Sequence, residues 1–211
     1  MNFATFLNGK YLVSVTSIMI AVGVLLAAVI PSASASESAS ESKSKFRAIA
    51  IGDSVMLGAK SQLLEIGVVK VDAKVSRQAT SGPALVKELA AKSNVKYVVV
   101  HLGTNGAYSV DTCRDTVRAA GIDRTVFLVN LKVPRKWENL NNSLMEKCAQ
   151  GFSASRVRVL DWHSISQSKK SYLYSDGVHL TPTGAKRFAR MIAAAIRQTI
   201  TWEQRLSPGP R

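Results

Sequence analysis

Ala48-Ile49-Ala50-Ile51-Gly52-Asp53-Ser54-Val55-Met56-Leu57-Gly58 is an apolar run that stops at a glycine, an acid and a serine. It is short, flanked by polar sequence and rich in isoleucine and alanine, which reads as a buried strand. The following Val55, Leu57, Leu63, Leu64 and Ile66 suit a helix. Ser54 therefore falls where strand turns into helix. There the first backbone N–H groups lack intrahelical partners and can donate to a negative oxygen forming beside a serine nucleophile. Gly52 lets the backbone turn and Asp53 can cap the helix. An ordinary strand followed by an N-cap serine fits the same stretch equally well, so other segments must decide.

Downstream, β-branched runs at 68–75, 95–102, 125–131 and 157–160 alternate with helical patterns at 82–92, 110–120, 138–150 and 181–199. Five strands alternating with helices predict a three-layer α/β/α sandwich around a five-stranded parallel sheet. Ligands bind such sheets beyond the carboxyl ends of the strands. Two further motifs fall at that edge. Gly103-Thr104-Asn105-Gly106 follows the third strand and offers a side-chain amide that can donate to an oxyanion, although Asn-Gly is also a common turn pair. Asp176-Gly177-Val178-His179 precedes the last helix and brings an acid within reach of a ring nitrogen, leaving the other nitrogen as a general base. Of the three histidines, His101 lies inside an apolar strand and reads as structural. His163 either lines the site or sits on the surface, and only His179 has an acid at triad spacing. Ser54, His179 and Asp176 thus form a complete set for acyl transfer.

The chain has 211 residues, two cysteines and a formal net charge of +14. Residues 11–30 carry no charge, follow Lys10, and end at Pro31 ahead of Ala33-Ser34-Ala35, which has the small-x-small form of a signal-peptidase site. Residues 1–35 are therefore expected to be a signal peptide, with an uncleaved N-terminal membrane anchor as the alternative; either places the domain outside the cytoplasmic membrane, secreted or wall-associated. Residues 36–45 are Ser, Ala, Glu and Lys and form the expected flexible linker. The catalytic domain is expected over 46–205 and a disordered tail over 206–211. Removing the leader would subtract only Lys10 from the charge, so the domain remains strongly basic. Anionic wall polymers and membrane surfaces are the expected partners. No nucleic-acid motif is present, so nucleic acid is not expected. Cys113 and Cys148 are expected to pair in an oxidising compartment; two buried free thiols are the competing reading. Neither has zinc-site spacing, and no metal or cofactor is expected.

The three motifs in order resemble the blocks of the SGNH (GDSL-like) superfamily of esterases and acyltransferases, across the whole domain. That resemblance implies a flavodoxin-like SGNH fold, with Ser54 as nucleophile and Asn105 as oxyanion donor. In the second block, Lys74-Val75-Ser76-Arg77-Gln78 carries Ser76 or Arg77 where the family's glycine supplies an oxyanion N–H. An arginine there is expected to crowd the site, and Gly82 is a weaker alternative donor. Val75-Ser76-Arg77-Gln78 and Val129-Asn130-Leu131-Lys132-Val133-Pro134-Arg135-Lys136-Trp137-Glu138 narrow the resemblance to the extracellular SGNH domain of bacterial peptidoglycan O-acetyltransferases. The implied reaction moves an acetyl group through Ser54 to a hydroxyl of the cell-wall glycan, with a separate membrane acyl-donor protein as partner. A secreted carbohydrate or lipid esterase is the alternative, and a non-catalytic wall-binding module a second. Arg135 and Trp137 are the expected glycan contacts, with Trp137 packing under its own helix as the competing reading; Tyr108 is a weaker candidate.

Overall fold

The structure, a computed structural model, describes residues 46–207. The expected leader or anchor, the linker, and the tail beyond Ser207 lie outside the described residues. Element order is β1 (Phe46–Gly52), α1 (Ser54–Gly58), α2 (Lys60–Glu65), β2 (Val68–Ala73), α3 (Gly82–Ala91), β3 (Tyr97–His101), α4 (Val110–Ala119), β4 (Thr125–Val129), α5 (Glu138–Ala149), β5 (Val157–Leu160), α6 (Trp162–Gln167) and α7 (Pro182–Leu206). The strands form one parallel sheet in the order β2-β1-β3-β4-β5. The chain winds outward from β1 in both directions, so the switch point falls between β1 and β3, where their carboxyl ends leave a crevice.

Side-chain alternation along the strands divides the core between the two faces. Ala48, Ala50, Tyr97, Val99, Phe127 and Val129 pack with Trp162 and with Phe188, Ile192 and Ile196 of α7. Ile49, Ile51, Val98, Val100, Val126 and Leu128 pack on the opposite face with Val86, Val117 and Leu144 of α3, α4 and α5. On α7 the buried Ala185, Phe188, Ala189, Ile192, Ala193 and Ile196 recur at helical spacing, and the Thr181 hydroxyl caps its start by accepting from Gly184 N–H at 3.1 Å.

The boundaries differ from those read in the sequence for identifiable reasons. The stretch after Ser54 is two helices rather than one, broken at Ala59, whose φ and ψ of −101° and 5° leave the helical region. The fourth strand stops at Val129; Leu131 and Val133 stay buried because they fill a small third cluster with Met145 beneath the loop that follows. Helix α7 runs to Leu206 rather than Thr199, and Glu203 in the added turns accepts from the Tyr97 hydroxyl at 3.0 Å. Helix α6 was not anticipated; its start is capped by Asp161, which accepts from Ser164 N–H at 3.0 Å. Among the described residues no helix is long and apolar enough to cross a membrane.

Cys113 of α4 and Cys148 of α5 are joined by a disulfide, with Cα atoms 6.1 Å apart, inside the core on the α3–α5 face. The bond closes a loop across a sequence separation of 35. Reduction in denaturant titration is expected to lower stability by about 2–4 kcal/mol, since the cross-link restricts the unfolded chain. Two thiols titrating in denatured, unreduced protein would contradict the bond.

Candidate active site

Gly52 ends β1, and a Cβ there would lie 2.4 Å from Met56 Cβ and 3.0 Å from His101 O, so only glycine fits so tight a strand-to-helix turn. Asp53 follows, fully buried, with Oδ1 accepting from Val55 N–H at 3.1 Å and Oδ2 accepting from Thr104 N–H at 3.3 Å. One carboxylate thereby ties the turn after β1 to the turn after β3. Its Oδ1 also lies 3.4 Å from Nδ1 of His101 without a formed hydrogen bond, and neither His101 ring nitrogen has a hydrogen-bond partner. His101 is buried in β3, edge-on to Phe188, and takes no place at the exposed edge.

Ser54 stands partly exposed at the mouth of the crevice, and His179 Nε2 lies 3.0 Å from its hydroxyl oxygen. His179 Nδ1 lies 2.7 Å from Asp176 Oδ2. The other Asp176 oxygen accepts from the N–H groups of Val178 and His179 at 2.8 and 3.0 Å, so the acid that faces the ring also builds the turn that carries it. An antiparallel bridge between Leu173 and Leu180, and the Tyr174 N–H bond to His179 O at 2.8 Å, hold that turn against the preceding segment. With Nδ1 directed at a carboxylate, the neutral ring carries its proton there, and Nε2 is the basic nitrogen facing the serine.

The second block lies beside the third. Asn105 donates from Nδ2 to Arg77 O at 3.2 Å, and its amide retains a second N–H. Ser76 takes φ = +58°, the left-handed conformation that favours glycine, so it stands conformationally where the family resemblance expects one. Ser76 N–H makes no hydrogen bond among the described residues, whereas Arg77 N–H is engaged by Lys74 O at 3.3 Å, so of the two only Ser76 keeps a donor available. The expected crowding by Arg77 does not occur. Its guanidinium folds back onto the carbonyls of Gly52 and Asp72, at 3.1 and 2.6 Å, and pairs with the Asp72 carboxylate at 2.6 Å. Gly82 serves packing instead: a Cβ there would meet Thr116 Oγ1 at 2.6 Å.

The loop after β4 reaches the same edge. Trp137 is half-buried and donates its indole N–H to Thr104 O at 3.3 Å, so it packs on the turn after β3 as well as lying under its own helix. Arg135 is exposed on the loop. Tyr108 packs into the core beneath the turn, where a Cβ on Gly103 would lie 2.8 Å from its ring, and burial pushes its phenol pKa up. His163 faces Glu138, its Nε2 3.0 Å from the carboxylate. The sequence reading took Asp53 only as the helix cap it proves to be and Arg77 only as a candidate donor; it did not anticipate their ties to Thr104 and Gly52 or the part played by the start of α5, for which buried polar residues next to apolar positions were the available signal. Among the described residues no cluster of acidic, histidine or cysteine side chains could hold a metal ion.

Three carboxyls are held below their ordinary value of 3.8. Burial pushes each upward, but hydrogen bonds and neighbouring charge outweigh it: His101, Thr104 and Val55 for Asp53, His179 and the Val178 and His179 N–H groups for Asp176, and Ser164 and Asn130 for Asp161. A folded-state value below the unfolded one stabilises the protein above the unfolded value, and that contribution disappears as pH falls through the folded one. The melting temperature is therefore expected to hold steady down to about pH 4 and to drop below it. Asp53→Asn should lower it already at neutral pH, because an amide cannot offer two acceptor oxygens to Val55 and Thr104. A melting temperature unchanged between pH 5 and pH 3 would contradict this.

No family model matches the sequence. The chain is 34% identical over 159 residues to the peptidoglycan O-acetyltransferase OatA of Listeria monocytogenes, covering 72% of this chain and 24% of that protein. It is 32% identical over 161 residues to the O-acetyltransferase OatA of Staphylococcus aureus, covering 74% and 26%. The chain thus spans about a quarter of the length of these curated relatives. Its fold matches the C-terminal catalytic domain of Streptococcus pneumoniae peptidoglycan O-acetyltransferase A, with a TM-score of 0.64 at 20% identity over 74% of this chain and 96% of that one. A GDSL-like lipase from Bacteroides thetaiotaomicron matches with a TM-score of 0.57 at 18% identity, covering 72% of this chain and 87% of that one. The chain is thus related in sequence to a segment of peptidoglycan O-acetyltransferases, and its fold is the one seen in the catalytic domain of such an enzyme and in a GDSL-like lipase.

Proposed function

We propose that this chain is an exported serine O-acyltransferase acting on O-acetyl groups of cell-wall glycan, with Ser54 as nucleophile, His179 as general base and Asp176 as the acid that orients it. The observation that supports this most is the chain of two short contacts, 3.0 Å from Ser54 Oγ to His179 Nε2 and 2.7 Å from His179 Nδ1 to Asp176. In this reaction His179 takes the Ser54 proton as the hydroxyl attacks an acyl carbonyl. The oxyanion is held by the N–H groups of Ser54 and Ser76 and by the second N–H of Asn105. The tetrahedral species expels the donor alcohol, which leaves with the proton carried by His179. A sugar hydroxyl, deprotonated by the same ring, then takes the acyl group and regenerates Ser54. Asp176, ionised well into the acid range, keeps the ring in the required tautomer throughout.

Similarity to peptidoglycan O-acetyltransferases supports the wall glycan as acceptor, and the net charge of +14 suits an anionic polymer. Arg135 and the exposed part of Trp137 are the proposed glycan contacts, and a separate membrane protein is the proposed acyl donor. Export through the charge-free segment at 11–30 agrees with the disulfide, because such bonds persist in oxidising surroundings.

Ser54→Ala and His179→Ala are expected to lower kcat for a small acetyl ester by about 10⁴ to 10⁶, with Asp176→Ala costing less. More than a tenth of wild-type rate in a Ser54→Ala protein free of contaminating esterase would overturn the assignment. A chitooligosaccharide is expected to compete with water for the acyl-enzyme and emerge acetylated, with Arg135→Ala lowering transfer more than hydrolysis. Failure to acetylate any oligosaccharide, together with efficient deacetylation of acetylated wall material, would replace transferase by esterase.

A further inference from the structure

Asn141, on the second turn of α5, is fully buried, yet it is a side-chain amide in an otherwise apolar environment. Its Nδ2 donates to two carbonyls, Gly103 O at 3.0 Å and Gly106 O at 2.9 Å. These are the first and last residues of the four-residue turn that carries Asn105. Its Oδ1 is buried without a hydrogen-bond partner. A buried acceptor left unpaired costs stability, so the two bonds that Nδ2 donates to the turn are what hold the amide in this place.

The same turn is also held at Thr104. Thr104 N–H donates to buried Asp53, and Thr104 O accepts from the Trp137 indole at 3.3 Å. Gly103 itself takes φ = +115°, a conformation that favours glycine, and its carbonyl is held by Asn141. Asn142, next along α5, accepts from Leu131 N–H at 2.8 Å and donates to Leu131 O at 2.9 Å, which fixes the helix start to the end of β4. Glu138 adds a third tie by accepting from Val133 N–H and from Lys132 Nζ at 3.1 Å. The start of α5 is thus fastened to the loop that leaves β4 on one side and grips the Asn105 turn on the other.

We propose that Asn141 is a positioning residue of the acyl-transfer site: by clamping the Gly103 and Gly106 carbonyls it fixes the backbone on both sides of Asn105, and so fixes where the Asn105 amide meets the oxyanion. Asn141 touches neither substrate nor reacting atoms and acts only through Asn105. This rests on the proposed role of Asn105, and the two are separable by experiment. A displaced donor forfeits most of its effect because oxyanion stabilisation needs a donor within hydrogen-bond distance of the developing charge.

The experiment is a double-mutant cycle on the full chain, reading the rate of Ser54 acylation by a fluorophosphonate ester and kcat and KM for a small acetyl ester. Asn105→Ala is expected to lower the acylation rate by about 10² to 10³. Asn141→Ala is expected to lower it by about 10- to 100-fold, with KM nearly unchanged. In the Asn105→Ala background, Asn141→Ala should cost less than twofold, because the group it positions is gone. Should Asn141→Ala fail to fold, Asn141→Leu, which fills a similar volume and removes the two donated bonds, carries the cycle with the same expected losses and the same loss of effect in the Asn105→Ala background. Additive losses, or an acylation rate within twofold of wild type in a folded single variant, would overturn the proposal. If Asn105→Ala itself acylates at the wild-type rate, it is the oxyanion role of Asn105 that fails, and the proposal with it.

Discussion

The site depends on a carboxylate that water cannot reach. Asp53 is fully buried between the ends of β1 and β3, and a charge in that position persists only if donors surround it. Val55 N–H and Thr104 N–H meet that requirement. Because those donors come from the Ser54 turn and from the Asn105 turn, satisfying the charge brings the two turns together. The parallel sheet makes this possible: β1 and β3 are neighbours at the switch point, and their last residues, Gly52 and His101, lie side by side in register.

Around that buried link the structure builds two further turns by the same means, with polar side chains bonded to backbone groups. In the Asp176–His179 turn one carboxylate oxygen takes two N–H groups and the other faces the ring. In the second block, the Arg77 guanidinium satisfies the carbonyls of Gly52 and Asp72 while its own carbonyl receives the Asn105 amide. A long cation at a position read as crowding the site instead ties β1 to β2, and its charge is neutralised by Asp72. The apolar scaffold behind these turns is ordinary: two faces of the sheet, each covered by helices, with the disulfide joining α4 to α5 on one of them.

The position of Ser76 joins the sequence and structural readings most closely. A serine at φ = +58° pays a steric penalty that glycine avoids, on the order of 1 kcal/mol, yet the backbone keeps the conformation. The N–H belongs to the backbone and survives a change of side chain, so the proposed donor does not depend on a glycine. For the same reason a motif written as side chains understates this block, whereas the φ angle identifies it.

What the sequence by itself determined is periodic or local. Alternating β-branched runs and helical stripes specify five strands and the helices between them, because burial of one face is encoded every second or every three to four residues. Gly-Asp-Ser, Gly-Thr-Asn-Gly and Asp-Gly-Val-His are likewise legible, since each is a turn whose chemistry lies within four residues. Tertiary structure alone decided what depends on partners distant along the chain. Asp53 meets Thr104, Arg77 meets Gly52, Trp137 meets Thr104, and Asn141 grips Gly103 and Gly106 across separations that no local pattern records. Strand ends at Ala73 and Val129, the break at Ala59 and the last turns of α7 belong to the same class. They are set by where pairing and packing partners run out, and apolar residues such as Leu131 and Val133 look identical in sequence whether a neighbouring strand or a loop buries them.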